Sequence, residues 1–238
     1  MSYVPPAGNI TNTTGSYGFA PSFGETLLYA FNLCGVRNTA LTQSHFETGR
    51  MAANMLMSEW SARGVNLWQV DLQCVALTQG CATYPVPSNT IVMLDAYVTM
   101  NSGAAGIDRL ILPISRTEYA SYSNKQQQGF PTTFWMDRLL SPTVTLWPVP
   151  DGTQSAFKYY RLRQTQDTAL SNAAVPEMPV YFWNAFTKGL AANLAISWAP
   201  SQYPVLKAEA TEAYGYAAAQ NTETAQQYIS PMISGYYR

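Results

Sequence analysis

The sequence predicts an α+β protein: a four-helix bundle formed by N- and C-terminal helical hairpins, with an antiparallel β domain inserted between them. Two observations lead there. Apolar residues recur every three or four positions toward both ends of the chain, as amphipathic helices require. Between Val65 and about Gln166 the texture changes to β-branched and aromatic runs separated by Gly, Pro, Asn and Asp, which marks short strands and turns. The expected divisions are an extended arm over 1–21, helical parts over 22–64 and 176–227, a β domain over 65–175, and an extended tail over 228–238.

The elements follow in order. The arm is rich in Gly, Pro, Thr and Asn. Ser22 and Glu25 have capping-box spacing, in which hydroxyl and carboxylate each satisfy a free helix N–H. Leu27, Ala30, Phe31 and Cys34 continue the helix, and Gly35 is a natural stop just past its end. Ser44 and Glu47 repeat the box, and Phe46, Gly49, Ala53, Leu56 and Trp60 form a second stripe ending at Gly64. LWQVDLQCVAL, NTIVMLDAYVTM, TVTLWPV and AFKYYRLRQ read as strands, and the polar run Pro113–Gly129 has room for a short helical turn. In TLWPVPDG, Thr143, Thr145 and Trp147 alternate with Val144, Leu146 and Pro148, a strand closed by two prolines and an Asp151–Gly152 turn. Trp147 is therefore expected to pack at a strand end. Val180, Trp183, Phe186, Leu190, Leu194 and Trp198 make a third helix that stops at Pro200. Ser201 caps a fourth, of roughly 25 residues or about 37 Å.

Composition narrows the function. The 238 residues carry 13 Lys+Arg against 14 Asp+Glu, a net charge of −1, so no bulk attraction to nucleic acid or anionic membrane is implied. Charged residues make up 11% of the chain, where roughly 25% is ordinary. A surface with so little charge is weakly protected against self-association, and interface cores are themselves poor in charge and rich in aromatics. Cys34, Cys74 and Cys81 fit neither a disulfide framework nor a zinc site. No signal peptide opens the chain, and no run approaches the roughly 18 apolar residues of a membrane span.

No catalytic, metal or cofactor site is expected. His45 is the sole histidine, set in the first turn of a helix with no nucleophile implied beside it. Walker-type, G-x-S-x-G, G-x-G-x-x-G and H-E-x-x-H motifs do not occur. Asp137 and Asp151 form the best imaginable carboxylate pair, and with Trp135 and Trp147 they motivate the alternative of a tail-associated carbohydrate or cell-wall hydrolase. Both aspartates nevertheless sit in turn-like sequence. Lys158, Arg161 and Arg163 are the one basic group that could meet phosphate; salt bridges explain them better.

Several segments resemble head-to-tail adaptor proteins of short-tailed bacteriophages, a group that includes tail tubular protein A. They are LxxAFNLCGV and MSEWSARGV, then PISRTEY, KQQQGFPTTFW and PTVTLWPVPDG, in the family's order over about residues 22–225. The resemblance implies a structural virion protein made in the host bacterial cytoplasm. It would form a ring, usually of twelve copies, between the portal protein and the tail nozzle protein, in some phages with tail fibres attached. DNA would pass through the ring without sequence-specific binding, along a neutral or mildly acidic wall, and no membrane is involved. The tail would reach into portal clefts through Tyr228, Ile229, Pro231, Met232, Ile233, Tyr236, Tyr237 and Arg238. Candidate subunit or nozzle contacts in the β domain are Arg116, Tyr119, Lys125, Phe130, Trp135 and Trp147.

Overall fold

The computed structural model describes residues 18–64, 66–100, 106–169 and 174–222. The arm before Gly18 and the tail 228–238 therefore lie outside the described residues. Two compact units divide the chain. Of the described residues, one holds those up to 56 and those within 167–217, the other those within 57–166 and from 218 to 222.

In the helical unit, α1 (Phe23–Leu33) begins on the capping box read from sequence: Ser22 Oγ accepts the Glu25 N–H, and Glu25 Oε2 accepts the Ser22 N–H at 2.8 Å. It ends at Cys34 because Gly35 takes a φ of 76°, left-handed backbone that favours glycine. The second expected box is displaced. α2 (Gln43–Arg63) starts two residues earlier than that box allows, and its start is tied by Thr42, whose N–H donates to His45 Nδ1 at 3.1 Å. The His45 ring lies within aromatic contact of Phe31 and Trp198, so it is part of the packing.

The four-helix bundle is not what forms. The described residues hold five short helices and a large seven-stranded sheet, without a helical hairpin at each end. α1 packs closely on α4 (Trp183–Trp198), far along the chain, and Cys34 Sγ lies 3.3 Å from the Ala191 carbonyl. Small residues make this approach possible: Ala30, Ala191, Ala192 and Ala195 are all buried. α5 (Tyr203–Gln220) buries only Leu206, Ala210, Ala213 and Ala217. It lacks the continuous seam of large apolar residues that a long bundle needs. The expected stripe on α4 holds from Trp183 to Leu194, while Val180 sits exposed in a 3-10 turn ahead of the helix.

The sheet has the order β1 (Val70–Ala76), β9 (Gln154–Arg163), β3 (Thr90–Met100), β4 (Ile107–Pro113), β6 (Thr133–Asp137), β7 (Thr143–Trp147), β2 (Thr83–Pro85). It is mixed rather than purely antiparallel: β4 and β6 run parallel, in register Leu112 to Thr133. Parallel neighbours need a crossover, and the polar run at Pro113–Gly129 supplies it with the short helix α3 (Arg116–Ser121). A second, two-stranded sheet pairs β5 (Gln128–Gly129) with β8 (Val149–Pro150). Side chains of alternate residues meet in one core: Ala96, Val98, Ile111, Phe134, Val144, Leu146, Phe157 and Tyr159. Register shifts in β3 against β9 mark irregularities of the kind that increase strand twist.

Candidate interaction surface

Four of the six residues proposed for contacts in the β domain come together around α3. Ser115 caps this helix by accepting the Glu118 N–H. Its Tyr119 stacks on Trp135 of β6 with ring centroids 5.6 Å apart, and Tyr122 stacks on Trp147 of β7 at 4.1 Å. The Trp147 indole N–H donates to the Asn124 carbonyl, fixing the ring's direction. Lys125 folds back over the end of α3, where Nζ donates to the carbonyls of Ala120 and Tyr122 and lies 5.8 Å from the Tyr119 ring. A cation satisfying the last carbonyls of a helix is favoured by the helix dipole as well. The result is a half-buried aromatic layer clamped by its own hydrogen bonds. Arg116 stands exposed on the same helix, while Phe130 packs under the Arg109 guanidinium, 4.9 Å from ring centroid to carbon. Tyr122, Asn124 and Arg109 were not foreseen; the Tyr119/Tyr122 spacing of three was the available signal, since it puts both rings on one side of a single helical turn. The eight proposed tail residues from Tyr228 to Arg238 lie outside the described residues.

The basic group on β9 is tied up within the chain. Arg161 is buried and forks onto Asp71 of β1, Nε to Oδ1 at 2.7 Å and Nη2 to Oδ2 at 3.1 Å. Its Nη1 donates to Asn89 Oδ1 at 2.7 Å and Thr90 Oγ1 at 2.8 Å. One guanidinium thereby joins β1, β9 and the start of β3. The Arg161 hydrogen bonds hold the Asp71 carboxyl below the usual carboxylate range. Lys158 pairs with Asp108 of β4 at 3.3 Å.

The carboxylate pair fares differently from a glycosidase couple. Asp151 Oδ1 accepts the Thr153 hydroxyl at 2.7 Å and the Thr153 N–H at 3.0 Å, closing the turn before β9. These bonds lower its pKa, the reverse of what a general acid needs. Gly152, beside it, has a φ of 95°. Among the described residues no cluster of three His, Cys, Asp or Glu side chains could hold a metal ion, and no helix is long and apolar enough to cross a membrane. A cavity of about 280 Å³ opens in the helical unit, walled by Phe19, Pro21, Tyr29 and Trp183.

An aromatic layer and ion pairs closed within the chain fit a structural role. The comparison with known families narrows this: the model of the SU10 adaptor protein family matches residues 46–233, and the chain belongs to that family, consistent with a phage head-to-tail adaptor of the virion neck or tail. No curated protein matches the chain.

Proposed function

We propose that copies of the chain close into a ring beneath the portal protein, extend the DNA channel, and carry the tail nozzle on the far side, without catalysis. The observation that bears the weight is the adaptor-family match over residues 46–233. In this reading the ring has about twelve subunits, and its symmetry is set by the angle of the subunit interface. Tyr228–Arg238 docks between portal subunits, with Ile229, Met232, Ile233, Tyr236 and Tyr237 as apolar anchors that order on binding. The α3 aromatic layer, with exposed Arg116 beside it, faces a neighbouring subunit or the nozzle. The intrachain pairing of Arg161 and Lys158 supports a channel wall without a phosphate-binding belt, along which duplex slides.

Electron microscopy of the protein mixed with its portal tests this reading. Rings seated on the portal are expected with the full chain and are expected to be lost when 228–238 is deleted. Rings that seat equally well without the tail overturn the docking assignment. Absence of any ring on the portal overturns the adaptor reading itself.

A further inference from the structure

The groove of about 280 Å³ in the helical unit has an aromatic wall. Glu25, Thr26 and Tyr29 line it from α1, and Trp183, Asn184 and Thr187 from the N-terminal end of α4. In each helix the outer two of these residues stand four apart, so they share a face. Phe19 and Pro21, on the chain that leads into α1, complete the wall. Its polar groups are largely spent on their own backbone. Glu25 Oε2 accepts the Ser22 N–H at 2.8 Å and the Ser22 hydroxyl at 3.0 Å. Thr26 Oγ1 donates to the Ser22 carbonyl at 3.0 Å, and Thr187 Oγ1 to the Trp183 carbonyl at 2.9 Å. What the groove offers an occupant is therefore the rings of Phe19, Tyr29 and Trp183, with the exposed Asn184 carboxamide beside them. Phe19 and Tyr29 are 69% and 59% exposed.

Chemistry and connectivity select the occupant. A concave row of aromatic rings with an amide at its side suits a proline-rich segment, which meets rings with its own flat faces and little ordering cost. The chain holds one Pro–Pro pair, Pro5–Pro6, preceded by Tyr3 and Val4, and no charged side chain comes before Glu25. A neutral apolar segment asks nothing of a wall whose carboxylate is already turned to Ser22. The same arm enters the helical unit at Gly18, immediately before Phe19 of the wall. Residues 7–18 can span up to about 40 Å when extended, far more than a turn back into the groove requires. They include Gly8, Asn9, Asn12 and Gly15, residue types that favour such turns. Tethering at this distance gives the segment an effective concentration on the order of millimolar, which no free partner matches.

We propose that Tyr3–Pro6 folds back into this groove of its own chain, with the two prolines against the rings of Phe19, Tyr29 and Trp183. Asn184 then serves the backbone of the docked segment, since a carboxamide can both donate and accept. The arm covers aromatic surface at the start of α1, and the contact is independent of whether copies form a ring.

The test uses the full-length chain with a diazirine-bearing amino acid in place of Val4, prepared with natural and heavy nitrogen and mixed. After brief illumination of the dilute mixture, cross-linked peptides are read by mass spectrometry. The expected result is same-isotope links from position 4 to the peptide that holds Trp183–Thr187. Tyr29→Ala and the double variant Pro5→Gly/Pro6→Gly are each expected to lower their yield at least about tenfold, as loss of one anchor does, with circular dichroism unchanged. Mixed-isotope links to the same peptide assign the groove to a neighbouring copy's arm and overturn the proposal. Links that map elsewhere on the chain, or a yield that either variant leaves unchanged, overturn it as well. Should Tyr29→Ala lose its circular dichroism, Pro5→Gly/Pro6→Gly decides alone, because it alters only the arm.

Discussion

In the helical unit, Gly49 sits so close to Leu27 that a Cβ there would lie 2.4 Å from the leucine Cδ1, and Gly189 would bring one to 2.8 Å from Leu56 Cδ2. In the β unit the decisive approach is of another kind: a buried guanidinium binds one carboxylate, one amide and one hydroxyl across three strands. The helices are held by proximity, which is insensitive to pH and intolerant of volume. The sheet is held by an aromatic core together with a polar clasp, which tolerates volume poorly too but responds to protonation. Substitutions that separate these two kinds of cohesion should act on one unit and spare the other.

The largest effect is expected from Asp71→Asn. Breaking one partner of a buried pair costs several kcal/mol because the remaining charge is stranded. Asp71 keeps about a third of its side chain in water, which places the loss at the low end, about 3 kcal/mol. Hydrogen exchange should speed up in β1, β9 and β3 and stay unchanged in α4. The pH dependence has a fixed sign. The folded pKa of Asp71 lies below the unfolded value, near 3.9. Its contribution is therefore complete above about pH 4 and disappears as pH falls through the lowered folded value. Urea midpoints between pH 7 and pH 2 should fall for the wild type and flatten for D71N. Equal slopes for the two proteins would show that the clasp does not carry the acid sensitivity.

Next in size is Gly49→Ala. Overpacking costs about 1–3 kcal/mol, while replacing glycine in a helix recovers about 1. Leu27 is fully buried and has no room to retreat, so the net is a loss of roughly 1–2 kcal/mol. Gly189→Ala, with the longer approach, should lose less. Thermal melting of the two variants checks the order; G189A as costly as G49A would mean that the α1–α2 contact is not the tighter one.

Ser22→Ala should cost about 1 kcal/mol, the ordinary value of an N-cap, seen as fraying of the first turn of α1 in hydrogen exchange. This element is also where the sequence was most informative. A capping box, a stripe at Leu27, Ala30 and Phe31, and a glycine at the end each follow from local rules, and the helix obeys them. The strands around Val70, Thr90, Thr143 and Gln154 were legible for the same reason, since alternation and turn residues are local. What could not be read was pairing. That α1 lies against α4 depends on alanines more than 150 residues away, and small residues carry no periodic signal of their own. β4 was missed because Ile107, Leu110 and Leu112 sit outward while only Ile111 is buried, so its pattern is not that of a half-buried strand. The clasp was missed as well: Asp71 and Arg161 are ordinary surface types until the register of β1 and β9 sets them opposite each other. The α3 layer was partly visible, as Tyr119, Trp135 and Trp147 were singled out, but Tyr122 and the stacking of tyrosine on tryptophan required the crossover to be known.

The smallest effect has the opposite sign. Tyr159 is fully buried in the β core, and its hydroxyl finds no hydrogen-bond partner. Burial pushes its pKa up, so the neutral phenol is the form present. Removing a buried, unpaired hydroxyl while keeping the ring deletes a desolvation cost of about 1 kcal/mol and little packing. Tyr159→Phe should therefore raise stability by roughly 0.5–1 kcal/mol, a gain confined to the β unit and readable as a higher urea midpoint with an unchanged slope. A loss of similar size would mean that an ordered water satisfies the hydroxyl. The β core would then be a partly wet one, and the contrast with the close-packed helices would rest on hydration as well as on charge.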